Sequence, residues 1–192
     1  IAGLGLAPAT VKKIRRVLSM ILASAVKDGR LPRNVAEGIS LPRVQTAEKR
    51  FLTHSQVEQL ADLVGEDWSL LVRFLAYTGL RWGEVAALKV SRVDLLRRRV
   101  IVAESVTPVR GVMVWGATKG HERREVPIPK FLAREIEAAI DGKGPDSLLF
   151  TGPRGAVLRA GTFRRAAMMP AAEAMGLCEP KIFDGRQETK KI

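Results

Sequence analysis

The chain has 192 residues and carries 32 Lys and Arg against 20 Asp and Glu, a formal net charge of +12 that makes a polyanion the leading partner. Its 46% hydrophobic and 27% charged residues are those of a globular chain and exclude a disordered or fibrous one. The single Cys178 excludes an internal disulfide framework and a cysteine metal site, and no apolar run reaches the roughly 20 residues a bilayer requires, so a cytoplasmic protein with no membrane partner is expected. Ile1 is not an initiator Met, so a piece of a longer reading frame is expected.

In chain order, Thr10 is placed to cap a helix in which Val11, Ile14, Leu18, Ile21, Leu22 and Ala25 recur at helical spacing, with Gly29 to stop it and Pro32 beyond. Its polar face carries Lys12, Lys13, Arg15 and Arg16, a solvated surface or a phosphate-contacting one. A short second helix is expected around Asn34 to Gly38, then a polar linker from Val44 to Arg50. Thr53 and Gln56 form a capping-box pattern ahead of Val57, Leu60, Ala61 and Val64. Asp67 precedes a helix with a Leu70, Leu71, Phe74 and Leu75 stripe, Gly79 ends it, and Arg81 opens the next. Three short β-rich runs follow, Arg99 to Ala103, Gly111 to Trp115 and Arg124 to Ile128, separated by Pro108, Gly116 and Gly120 and expected to form one antiparallel meander. A helix over Lys130 to Ile140, a brief strand over Ser147 to Phe150, and a last helix capped by Thr162, kinked at Pro170 and reaching Met175 complete the pattern. The expected fold class is mainly α with a small three-stranded antiparallel sheet, an α+β arrangement.

The chemistry concentrates in Ala76-Tyr77-Thr78-Gly79-Leu80-Arg81-Trp82-Gly83-Glu84-Val85-Ala86-Ala87-Leu88. An Arg directly after a tight helix-to-helix turn projects its guanidinium where the next helix offers free backbone N–H groups, a geometry suited to phosphate. The same residues also read as an Arg81–Glu84 ion pair at a helix end, worth only about 0–1 kcal/mol on a surface. Arg97, Arg98 and Arg99 read equally as DNA-backbone contacts or as a solvated edge. Trp68, Trp82 and Trp115 read as core or interface residues, and His54 and His121 as exposed loop residues.

The Thr78-Gly79-Leu80-Arg81-Trp82-Gly83-Glu84 string resembles the first signature of the tyrosine recombinases, the phage-integrase family. Ala117-Thr118-Lys119-Gly120-His121-Glu122-Arg123-Arg124-Glu125-Val126-Pro127-Ile128-Pro129 resembles the family hairpin that carries a catalytic Lys, here Lys119. The Ala9-Thr10 helix, Asn34-Val35-Ala36 and Leu41-Pro42-Arg43 resemble the end of the helical core-binding domain, and Phe163 to Leu177 the helix before the second signature. The resemblance implies residues 1–43 as the C-terminal part of a SAM-like core-binding domain, 44–50 as a linker and 51–192 as a catalytic domain. It implies a Tyr hydroxyl that attacks a DNA phosphodiester, forming a phosphotyrosyl bond and releasing a 5′-hydroxyl, without metal or other cofactor. Arg81 would hold the phosphate with Glu84 in support, Lys119 would protonate the leaving oxygen, and Arg186 would be the second Arg. Lys12, Lys13, Arg15, Arg16 and Arg123 would meet the DNA backbone.

The departures from the family pattern are as informative. Where it has H-x-x-R, the chain reads Phe183-Asp184-Gly185-Arg186, and Phe183 cannot donate a hydrogen bond. The one Tyr is Tyr77, in the apolar helix before Arg81, where a packed aromatic is expected. The chain is therefore expected to bind double-stranded DNA without cleaving it, either as a fragment of a recombinase or as a stand-alone DNA-binding protein derived from one. A homo-oligomer on DNA is expected only with further C-terminal sequence.

Overall fold

A proline, not a threonine, opens the first helix. In the computed structural model, which describes residues 5–41, 51–118, 123–178, 180–183 and 186–189, α1 runs Pro8–Lys27 with Ala7 at the cap and Thr10 inside the first turn. Proline suits that position because the N–H it lacks would have no intrahelical partner. The chain divides into two compact units, Ile1–Phe51 and Leu52–Ile192. In the first, the apolar stripe of α1 is largely uncovered: Ile14, Val17, Leu18, Met20 and Ile21 are 39 to 64% exposed. The helix expected at Asn34 to Gly38 is a run of turns. Asn34 accounts for this, because its amide donates to Ser19 O and Oγ, each at 3.0 Å, while its carbonyl accepts from Ala36 N at 3.0 Å, giving the backbone an alternative to helix. The expected linker at 44–50 lies outside the described residues.

In the second unit α2, His54–Leu63, starts on a capping box: Thr53 Oγ1 accepts from Gln56 N at 3.3 Å and Gln56 Oε1 accepts from Thr53 N at 2.9 Å. Helix α3, Glu66–Thr78, is stopped by Gly79, whose φ of 63° is left-handed and whose N–H closes on Leu75 O at 3.1 Å. Arg73 ties α2, α3 and the helix over Lys130–Ile140 together, donating to Glu58 at 2.6 Å, Ser69 at 2.7 Å, Asp62 at 3.2 Å and Glu135 at 3.4 Å. After Gly79 the chain turns directly into α4, Trp82–Ala86.

The expected meander is corrected in its membership. The three-stranded antiparallel sheet has the order β1 (Val93–Asp94), β2 (Arg99–Val102), β5 (Arg124–Pro127). The middle run instead becomes β4, Val112–Ala117, paired with an unforeseen β3, Glu104–Val109, in a separate two-stranded ribbon. Pro108, expected to separate strands, sits within β3 opposite Met113. A two-stranded ribbon leaves each strand one unpaired edge, where the missing proline N–H costs no ladder bond. Trp115 on β4 is 44% exposed and not a core residue, whereas Trp68 and Trp82 lie on Phe163 with ring centroids 5.2 and 5.1 Å apart.

Helix α5 spans Lys130–Ile140 as expected. Ser147 to Phe150 forms only an isolated bridge, Leu148 to Lys89, and not a strand. The last helix is divided into α6 (Ala160–Phe163), a π turn (Arg164–Met168) and α7 (Met169–Ala174), with Arg159 rather than Thr162 at its cap. Pro170 falls in the first turn of α7, so the wider turn before it absorbs the lost hydrogen bond that a straight helix would have needed. A hairpin of β6 (Pro180–Phe183) and β7 (Arg186–Thr189) follows. In the core of this unit Leu71, Phe74, Val85, Val100, Leu132 and Ile136 are each at most 2% exposed. Among the described residues no helix is long and apolar enough to cross a membrane.

Gly83 sets how closely α4 lies on β3, since a Cβ there would stand 2.8 Å from Val106 O. Gly83→Ala should therefore destabilise the chain by about 1–3 kcal/mol in urea unfolding. Gly116→Ala, whose Cβ meets nothing within 4 Å, should stay within about 0.5 kcal/mol.

Candidate functional site

Gly79, Leu80, Arg81, Gly83 and Glu84 act as one folding unit. The left-handed Gly79 reverses the chain, Leu80 is buried at 5% exposure, and Arg81 takes an extended conformation as the residue before α4. Glu84, three residues on, points inward and is 2% exposed. Its Oε2 accepts from the Arg81 backbone N–H at 2.9 Å and from Arg124 Nη2 at 2.6 Å. Its Oε1 accepts from Arg81 Nη1 at 3.0 Å and from Arg124 Nη1 at 2.9 Å. These bonds fill the roughly four acceptor positions that a carboxylate offers.

Burial alone would raise the Glu84 pKa, but the hydrogen bonds from Arg124 and Arg81 outweigh it and hold the group down at about 2. Two arginines share one carboxylate, so the cluster keeps a net positive charge. The Arg81 side chain, 62% exposed, carries that charge toward solvent. Arg73 is the opposite case, because three carboxylates surround a side chain that is 17% exposed. Helix α4 is only five residues long, so the cationic character of the site comes from the charge of Arg81 and not from a helix dipole.

The other sequence candidates distribute as follows. Lys119 and His121 lie outside the described residues, which resume with exposed Arg123 after a buried Thr118. Arg186 is in β7, in register with Phe183. Lys12, Lys13 and Arg16 are exposed on α1, while Arg15 is half-buried and donates from Nε to Ala36 O at 2.9 Å. Arg97 and Arg99 face Asp94 at 3.8 Å and Glu125 at 3.6 Å. The β2–β5 register pairs Arg99 with Pro127 and Val102 with Arg124, so the Arg97–Arg98 turn is at the end of β2 opposite to the one that meets Arg124. Tyr77 donates to Glu58 at 3.2 Å, is 3.1 Å from His54 Nδ1, and meets the Phe131 ring edge-on. His54 is exposed as expected but is the first residue of α2 rather than a loop residue.

Sequence reasoning missed Arg124. The usable signal was strand alternation: Arg124 shares a face of β5 with Val126, which packs against the core, so a basic residue there needs a buried carboxylate.

The sequence pattern of the phage integrase family matches residues 50–181. The chain belongs to the phage integrase family. That match takes in Arg81, Glu84, Lys119 and Arg124 and stops short of Arg186. The tyrosine recombinase XerA of Thermococcus kodakarensis is 32% identical over 115 residues, covering 58% of this chain and 36% of that protein. The integrase of Mycobacterium phage FRAT1 is 28% identical over 196 residues, covering 96% of this chain and 58% of that protein. The chain thus spans little more than half the length of the curated relatives it matches, or less. In fold it is similar to the Tn1549 transposon integrase solved with transposon right end DNA, with a TM-score of 0.75 at 20% identity, covering 97% of this chain and 63% of that one. It is also similar to the lambda integrase dimer bound to a COC' core site, with a TM-score of 0.63 at 20% identity, covering 95% of this chain and 62% of that one.

The Glu84 cluster has an acid signature. Its folded pKa of about 2 is below the ordinary 4.5, so its stabilisation is fully present above pH 4.5 and is lost as the pH falls toward 2. Glu84→Gln should cost about 3 kcal/mol at neutral pH, where two arginines lose their shared anion, and the urea-unfolding curves of the two proteins should converge as the pH approaches 2. A deficit that does not change with pH would refute the charge account.

Proposed function

We propose that this chain is the DNA-binding part of a site-specific tyrosine recombinase, with Arg81 as a ligand to the phosphodiester at which strands are cut and rejoined. The observation that carries this reading is the exposed Arg81 guanidinium, pinned by a buried carboxylate that it shares with Arg124 and therefore still cationic in sum. A transferring phosphoryl group needs such preset donors on its nonbridging oxygens. Lys119 then serves as the acid for the leaving 5′ oxygen and Arg186 as the second Arg, with Arg123 and the α1 residues Lys12, Lys13, Arg15 and Arg16 on the backbone of flanking duplex. Residues 1–43 and 51–192 correspond to core-binding and catalytic domains on either side of the 44–50 linker. The structures of the Tn1549 and lambda integrases bound to DNA support DNA as the partner.

Tyr77 is engaged with Glu58 and His54, which favours a packing role, so this chain binds DNA without cutting it. Phe183 in place of the family His favours a second reading, a stand-alone DNA-binding protein derived from an integrase. The gene sequence beyond the codon for Ile192 separates them: an open frame leading to a Tyr supports the recombinase, and an immediate stop supports the binder.

Phosphate binding predicts that the affinity for a short duplex falls steeply as salt rises, with a slope of about −0.9 per neutralised phosphate on a log–log plot. Arg81→Ala should weaken binding and reduce the slope by about one phosphate, measured by fluorescence anisotropy. A slope that is flat, or unchanged in Arg81→Ala, would overturn the assignment.

A further inference from the structure

Glu84 joins two arginines that are far apart in sequence, Arg81 at the head of its own helix and Arg124 on β5, forty residues after Glu84. The two hold it differently. Arg81 spends its backbone N–H and one guanidinium nitrogen, whereas Arg124 offers both terminal nitrogens in a fork, at 2.9 and 2.6 Å. This planar two-point contact fixes the plane of the carboxylate, which a lysine cannot do. Arg124 is also the more covered of the two, its side chain 38% exposed against 62% for Arg81. It opens β5, so the same fork ties the start of that strand to the first turn of α4.

We infer that Arg124 is a positioning residue: acting through the carboxylate of Glu84, it sets the direction of the Arg81 guanidinium and keeps an anion beneath it, so that Arg81 meets a DNA phosphate in one preset orientation. This rests on the reading of Arg81 as a phosphate ligand.

The charge arithmetic gives the inference a signature. With Arg124 in place the cluster sums to one positive charge. Without it, Arg81 and ionised Glu84 cancel, and the positive charge returns only when Glu84 takes up a proton. Burial favours that proton and the two Arg81 hydrogen bonds oppose it, so losing the Arg124 bonds shifts Glu84 toward protonation. Two further charged groups line the small hollow beside Glu84, Arg92 from the turn before β1 and Glu104 from β3, one opposing and one favouring protonation.

The test titrates a short duplex with the chain between about pH 5 and pH 8, comparing the parent with Arg81→Gln, Arg124→Gln, Arg124→Lys, Glu84→Gln and the Glu84→Gln/Arg124→Gln double variant. The two histidines are common to all of them and drop out of the differences. Arg124→Gln should bind about tenfold more weakly than the parent at the alkaline end and recover as the pH falls. Arg124→Lys, which keeps the charge without the fork, should show the same trend at reduced size, and it carries the test should Arg124→Gln fail to fold. With Glu84→Gln already present, adding Arg124→Gln should introduce no new pH dependence.

Three results would overturn the inference. An Arg124→Gln profile parallel to the parent, with only the unfolding temperature lowered, makes Arg124 a structural staple. An equal loss of affinity in the Glu84→Gln background makes it a direct DNA ligand. Duplex affinity unchanged in Arg81→Gln removes the reading of Arg81 itself, whereas an Arg81→Gln loss beside a parallel Arg124→Gln profile refutes only the role of Arg124.

Discussion

The buried carboxylate of Glu84 is the constraint on which the site depends. An ion taken out of water at 2% exposure costs several kcal/mol unless its lone pairs are filled, and here the bonds from Arg81 and Arg124 fill them. The local geometry serves that arrangement. Gly79 turns the chain so that Arg81 precedes α4, and Gly83 lets the helix settle against Val106 O closely enough for Glu84 to be covered. The carboxylate thereby couples a helix start to a strand that arrives from another part of the chain.

Two arginine networks in the same unit illustrate how counting charges separates structure from function. Arg73 faces Glu58, Asp62 and Glu135, so its site is net negative and holds three helices together. Arg81 and Arg124 face one carboxylate and remain net positive, with the outer guanidinium in water. Only the second arrangement has charge left for a phosphate. The sheet register sharpens the distinction further, placing the Arg97–Arg98 turn at the far end of β2 from Glu84, with Arg97 and Arg99 facing carboxylates of their own.

Much of the fold was legible where local rules decide it. The Thr53–Gln56 capping box, the Gly79 stop and the Lys130–Ile140 helix follow from spacing and cap chemistry, and they stand where expected. Two of the misreadings turn on pairing that local spacing does not show. Asn34 spends its amide on Ser19 and forms turns in place of a helix. Pro108 is tolerated in β3 because that strand pairs on one side only, which regrouped the expected meander into a sheet and a ribbon.

The sequence by itself determined the family, through the Thr78–Glu84 string, and with it the general fold, and it singled out Arg81 as a candidate, because short motifs carry backbone geometry that neighbours in sequence enforce. It also set the net charge that points to a polyanion. Tertiary structure alone decided that the Arg81–Glu84 pair is no surface decoration: Glu84 is buried, and its second partner, Arg124, comes from a strand forty residues away. Local spacing could pair Arg81 with Glu84, but only packing in three dimensions removes water from a carboxylate and brings a distant cation to share it.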